Sequence, residues 1–164
     1  MNKRNTNTDP VTRAPEKPVR KIYLAGSMAD ENRPYISAAA DILRKRGFEV
    51  YVPMEHEIPN AWDYPNEEWG LMVFTEDITA IEQADAVVVL NFGRKKNSTG
   101  CAWEAGFAYG RGIRVIVCDL IFHDDEHTSL MIENGRYATV EALTGLNDYD
   151  FETMPMTRTI HEQS

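Results

Sequence analysis

The sequence predicts an α/β protein: a three-layer, doubly wound, mostly parallel sheet of about five strands with helices on both faces. Three observations lead there. Short apolar runs alternate with longer stretches whose apolar residues recur at helical spacing. One run, ADAVVVLNF at residues 84–92, is almost continuously apolar, as a strand covered on both faces must be. Glycine or proline stands at several joints between these segments, where the chain has to turn.

KIYLAG at residues 21–26 is a short apolar strand that ends in a turn at Gly26 and Ser27. PYISAAADILRKRG at 34–47 places Tyr35, Ile36, Ala39, Ala40 and Leu43 on one helical face, with Pro34 suited to the first turn and Gly47 to the stop. FEVYVP at 48–53 returns as a second strand, which makes the opening a βαβ unit. A loop rich in proline, asparagine and aromatics leads to WGLMVFTEDITAIEQAD at 69–85, a helix that aligns Trp69, Met72, Val73, Ile78 and Ile81. After the 84–92 strand comes NSTGCAWEAGFAYG at 97–110, a helix with no polar stripe and therefore expected to be buried on most sides. IRVIVCDLIF at 113–122 is the last strand that the pattern locates. The layout is flavodoxin- or Rossmann-like, and ligands of such sheets sit beyond the carboxyl ends of the strands. Gly26 and Ser27, the loop 91–100 and the loop 122–129 fall at such ends.

With 164 residues, 43% hydrophobic and 26% charged, the chain has enough apolar material for one core. The first 21 residues carry six Lys and Arg against Asp9 and Glu16, three prolines and no apolar periodicity. Residues 1–20 are therefore expected to form a flexible tail before a single domain at 21–164. A formal net charge of −9 argues against a nucleic-acid partner, because such binders present a basic face. The tail has no apolar segment of a secretory leader, and no run approaches the roughly 18 residues of a membrane span, so a cytoplasmic protein without a membrane partner is expected. Cys101 and Cys118 sit in apolar surroundings without metal-ligand spacing, as buried free thiols do.

Glu104 is the one carboxylate inside the apolar 97–110 helix, and a charge there is costly unless it is paired or used. It could reach the surface or pair with Arg111 or Arg114. A second acid, Asp77, lies on the preceding helix, and two carboxylates about one sugar carbon supply a nucleophile and a proton donor for retaining glycosyl transfer. Ser98 can cap the helix and Gly100 would let a ligand approach its positive end, although ordinary N-caps look the same. Six helical residues from Ser98 to Glu104 span roughly 9 Å, enough to reach from C1′ of a nucleotide's sugar to its 5′ substituent. The lone glycine of LAGSM lacks the G-x-G-x-x-G spacing of a dinucleotide site. HDDEH at 123–127 has no third spaced ligand and is taken as solvated loop, with His56 and His161 as ordinary polar residues, so no metal or organic cofactor is expected.

These residues resemble the nucleoside 2-deoxyribosyltransferases and their relatives, the 2′-deoxynucleoside 5′-phosphate N-hydrolases. The resemblance runs from about residue 21 to 155, through KIYLAGS, PMEHEIP, EWGLMVFTEDITAIEQADAVV, STGCAWEAGFAYGRG, SLMI and LNDYDFETMP. It implies that Glu104 is the nucleophile that attacks C1′, that Tyr23 holds that carboxylate, and that Asp77 assists departure of the base. It also implies that the SLMI residue Ser129 is given to a neighbouring subunit's site, hence a homodimer or higher homo-oligomer. Gly26, Ser27, Ser98, Gly100, Ser129 and Met131 make up the expected substrate-binding set.

The departures matter as well. Transferases acting on free nucleosides typically carry Asp at the position of Ser98 and Asn at that of Ser129, to hold the 5′-hydroxyl. A serine in place of the acid removes repulsion against a phosphate, and here the chain resembles the N-hydrolases. Against that, the N-hydrolases carry an Arg where this chain has Ala29, with Arg33 as a nearby substitute, and the closing YDFETMP looks more like the transferases. The expected activity is cleavage of the N-glycosidic bond of 2′-deoxynucleosides, as 5′-monophosphates, through a deoxyribosyl-Glu104 intermediate with water as acceptor. The alternatives are transfer of deoxyribose to another nucleobase, and a nucleotide-binding sensor without chemistry.

Overall fold

The computed structural model describes residues 17–121 and 128–157. HDDEH, His161 and most of the expected tail lie outside them. Five strands, β1 (Lys21–Ala25), β2 (Glu49–Tyr51), β3 (Ala86–Asn91), β4 (Arg114–Asp119) and β5 (Ala138–Glu141), pair in parallel in the order β2-β1-β3-β4-β5. This is the doubly wound sheet that the sequence predicts, with its switch point between β1 and β3. β5 is the strand that the pattern does not locate, because a four-residue strand of which only Ala138 and Val140 are buried carries too short an alternation.

The helices are α1 (Arg33–Lys45), α2 (Asn66–Gln83), α3 (Thr99–Gly110), α4 (Leu130–Gly135) and α5 (Gly145–Asp148). Side chains of a strand alternate between faces, and this sorts the core in two. Ile22, Leu24, Val88, Leu90, Ile116 and Cys118 meet α1 and α5, whereas Tyr23, Ala25, Val87, Val89, Val115 and Val117 meet the layer of α2, α3 and α4. All six residues of β3 are buried, so trimming Leu90 to Ala would cost about 2–5 kcal/mol. α1 buries Ile36, Ala39, Ala40 and Leu43 as its periodicity requires. It stops where Gly47 takes a φ of +93° and its N–H bonds the Arg44 carbonyl at 2.9 Å.

Packing begins earlier than composition suggests. Val19 is 5% exposed and belongs to the core, and Lys17 pairs with Asp85 at 2.8 Å. Asp85 Oδ2 also accepts the backbone N–H groups of Arg20 and Lys21, each at 2.9 Å, which fixes the entry to β1.

The second helical layer corrects one expectation. α3 is not buried on most sides: Cys101, Ala105 and Ala108 face the sheet, but Trp103 is 50% exposed and Tyr109 39%. On α2 only Ile81 is fully buried, while Trp69, Leu71 and Phe74 are exposed. Among the described residues, one side of the layer has a sheet to pack on and the other has none. The outer side remains apolar, with Phe74 against Trp103 at 5.6 Å and Trp103 stacked on Phe107 at 5.4 Å. Both cysteines are buried and free of disulfides.

Candidate active site

Three elements bring Tyr23, Asp77 and Glu104 together. The period of β1 turns Tyr23 toward α2 and α3, where it is fully buried. Asp77 lies one helical turn before the buried Ile81, so the packing of α2 sets it on the inner face, half-buried. Glu104 occupies the same stripe of α3 as Cys101, Ala105 and Ala108.

Burial pushes the Glu104 carboxyl from its ordinary 4.5 up to about 7; the Tyr23 hydroxyl opposes the rise and the charge of Asp77 adds to it. Burial, with the nearby charges of Glu104 and Asp77, likewise raises the Tyr23 phenol, which stays protonated. The Tyr23 hydroxyl is closed off from water and makes no hydrogen bond of strict geometry, yet it is close enough to Glu104 to act on it as a donor. Both facts fit a Tyr23–Glu104 contact somewhat longer than an ordinary hydrogen bond. The expected alternative partners of Glu104 are engaged elsewhere: Arg111 pairs with Glu82 at 2.5 Å, and Arg114 lies over the Tyr137 ring.

Asp77 is raised by burial and held down by a hydrogen bond from the Tyr51 hydroxyl, 3.0 Å from its Oδ1. Tyr51 is a residue that sequence reasoning missed. It pairs in register with Tyr23, stacks on it at 5.4 Å, and carries His56 stacked on its other side at 4.0 Å. Only the strand register reveals this.

Beyond the strand ends, Ser98 caps α3 as expected, its Oγ accepting the N–H of Cys101 at 3.1 Å. A side chain at Gly100 would meet only that Oγ, at 3.9 Å, so packing within the chain does not demand glycine there. Gly26 is different. A Cβ there would lie 3.3 Å from Ile36, so the contact of β1 with α1 already accounts for it. Ser27 is buried. Arg33 is exposed and paired with Asp30 at 3.2 Å. Ser129 precedes α4, and Met131 is 82% exposed on the outer face, beside a cavity of about 310 Å³ lined by Ala105, Gly106, Tyr109 and Ile132. Trp62 and Tyr64 between β2 and α2, and Trp69 in the first turn of α2, which could stack on a base, are exposed.

The sequence profile described as nucleoside 2-deoxyribosyltransferase matches residues 22–139. The chain belongs to that family. It is accordingly an enzyme of N-glycosidic-bond chemistry. A 2-deoxyribosyltransferase from the psychrotolerant bacterium Bacillus psychrosaccharolyticus superposes with a TM-score of 0.76 at 31% identity, over 85% of this chain and 99% of that one. A conserved protein from Enterococcus faecalis V583 gives 0.60 at 19% identity, over 79% and 96%. A CMP N-glycosidase from Clostridium botulinum gives 0.55 at 17%, over 79% and 100%. The last two likenesses concern the fold alone. A search of curated proteins gives no match. No described helix is long and apolar enough to cross a membrane.

For this deoxyribosyltransferase-family chain, the geometry supplies two carboxyl groups in unlike settings, each with its own tyrosine. Unlike environments are what allow one acid to serve as nucleophile while the other manages a proton.

Proposed function

We propose that this enzyme cleaves the N-glycosidic bond of 2′-deoxynucleoside 5′-monophosphates through a covalent intermediate on Glu104. The observation that carries the reading is the half-buried Glu104 carboxyl beside the Tyr23 hydroxyl, with Asp77 held nearby by Tyr51. The Glu104 carboxylate attacks C1′, the bond electrons leave with the base, and the proton of Asp77 goes to the departing nitrogen. Water then attacks C1′, gives its proton to Asp77, and releases deoxyribose 5-phosphate from Glu104. Serines at 98 and 129 favour the phosphate because neither repels it.

The apolar outer face of α2 and α3, continued by Leu130 and Met131, supports a homo-oligomer in which Ser129 completes a neighbour's site. A second reading, deoxyribosyl transfer to another base, is favoured by the 31% identity to the Bacillus transferase.

The test is to incubate the protein with deoxynucleosides and their 5′-monophosphates, with and without a free base, and to follow products by chromatography. Free base and deoxyribose 5-phosphate from the monophosphates support hydrolysis. New nucleosides formed only with added base support transfer. A folded Glu104→Ala variant with full turnover overturns both.

A further inference from the structure

Asn91 ends β3 as its only polar residue, it is 0% exposed, and both ends of its amide are engaged. Its Oδ1 accepts from Asn97 Nδ2 at 2.7 Å and from the Gly93 N–H at 3.3 Å. Its Nδ2 donates to Thr128 Oγ1 at 2.7 Å and to Asp119 Oδ1 at 3.2 Å. A backbone N–H can only donate, and a carboxylate accepts, so these partners fix which way the amide faces. One buried side chain thus ties together the ends of β3 and β4, the loop before α3 and the segment before α4.

Those connections lead to particular neighbours. Asn97 immediately precedes Ser98, and its own Oδ1 accepts the Phe92 N–H at 2.9 Å, so its side chain organises the loop that presents that serine. Thr128 immediately precedes Ser129. The two serines read above as holding the substrate's 5′ group are each one residue from a hydrogen-bond partner of Asn91. Buried amides in fully satisfied networks hold the loops around them to one geometry.

We propose that Asn91 is the positioning residue for recognition of the substrate's 5′ group, setting Ser98 and Ser129 together. The proposal rests on the reading of those serines given under the proposed function. If Ser129 serves the neighbouring subunit, one amide governs the 5′ contact of two sites at once.

The experiment compares kcat and KM for a deoxynucleoside 5′-monophosphate, the nucleoside and the 2′,5′-dideoxynucleoside. The proteins are wild type, Asn91→Ser, Asn97→Ala and Thr128→Val. The last two substitutions fall at partly exposed positions, so they carry the test if Asn91→Ser does not fold. Loss of one hydrogen bond of the network is expected to lower the preference for a 5′-substituted over the 5′-deoxy substrate about tenfold, through KM. An unchanged preference in the folded variants, or losses in equal proportion for all three substrates, overturns the role of Asn91. A wild type that treats nucleoside and monophosphate alike overturns the phosphate reading, while its preference over the 5′-deoxy substrate still decides on Asn91. A wild type with no preference over the 5′-deoxy substrate overturns both.

Discussion

The Tyr51 hydroxyl donates to Oδ1 of Asp77 across 3.0 Å, while the Tyr51 ring lies flat against that of Tyr23. One side chain therefore touches both Asp77 and Tyr23, the two groups that act on the proposed nucleophile, Glu104. Tyr51→Phe keeps the stack and removes the donor. Since that bond favours the charged carboxylate, its loss raises the Asp77 pKa further and moves the limb of kcat/KM that Asp77 sets to higher pH. Turnover is expected to fall about tenfold as the acid loses its orientation, and pH–rate profiles of the two proteins measure both effects.

Tyr23→Phe acts on the other carboxyl. The hydroxyl is what holds the Glu104 carboxyl down, so its loss lifts that carboxyl above about 7 and moves the limb of kcat/KM that Glu104 sets to higher pH. A loss of about tenfold to a hundredfold at neutral pH is expected, because a smaller fraction of Glu104 is ionised and its orientation is released. A pH–rate profile that stays in place would remove Tyr23 from this role.

Glu104→Gln should abolish turnover and stabilise the fold. Glu104 titrates near 7 in the native chain against an ordinary 4.5, so between those values the native state binds the extra proton and stability falls as pH rises. The cost is complete above about pH 7 and absent below about 4.5, and it amounts to about 3 kcal/mol. Denaturant unfolding at pH 5 and pH 8 checks this. The gap between variant and wild type should be wider at pH 8.

Ser98→Asp places a carboxylate where the phosphate is proposed to sit. Use of monophosphate is expected to fall about a hundredfold more than use of nucleoside, since like charges at contact cost several kcal/mol. Paired kinetic measurements on the two substrates give the ratio, and equal losses would remove the phosphate argument.

Trp103→Glu puts a charge at the centre of the apolar outer face, between Phe74 and Phe107. Sedimentation analysis should show the proposed assembly reduced to monomers, with a fall in kcat/KM if neighbours supply Ser129 as proposed. An unchanged assembly would place the interface elsewhere.

The sheet and its order of helices were legible because strands such as β3 are apolar throughout and α1 keeps a clean helical period. β5 escaped because four residues hold too little pattern. Glu104 and Asp77 stood out as acids among apolar neighbours, and Ser98 as a cap. Tyr51 did not, since nothing in FEVYVP announces that it lies in register with Tyr23. The apolar character of α3 was plain, but hydrophobicity alone does not distinguish a face covered by its own chain from one left for another surface. Asn91 does carry a signal in the sequence, a lone amide closing an otherwise apolar strand.

The clasp at Asp85 bears on how the enzyme can be handled. Because all five strands run parallel, Lys17 and Arg20 approach at the sheet's amino edge, where Asp85 holds them. Gly26 and Ser27 leave at the opposite edge, five strand residues of about 3.3 Å each away. A support coupled through the chain ahead of Lys17 would hold the molecule by its base, leaving the proposed active site turned toward a flowing solution of substrate.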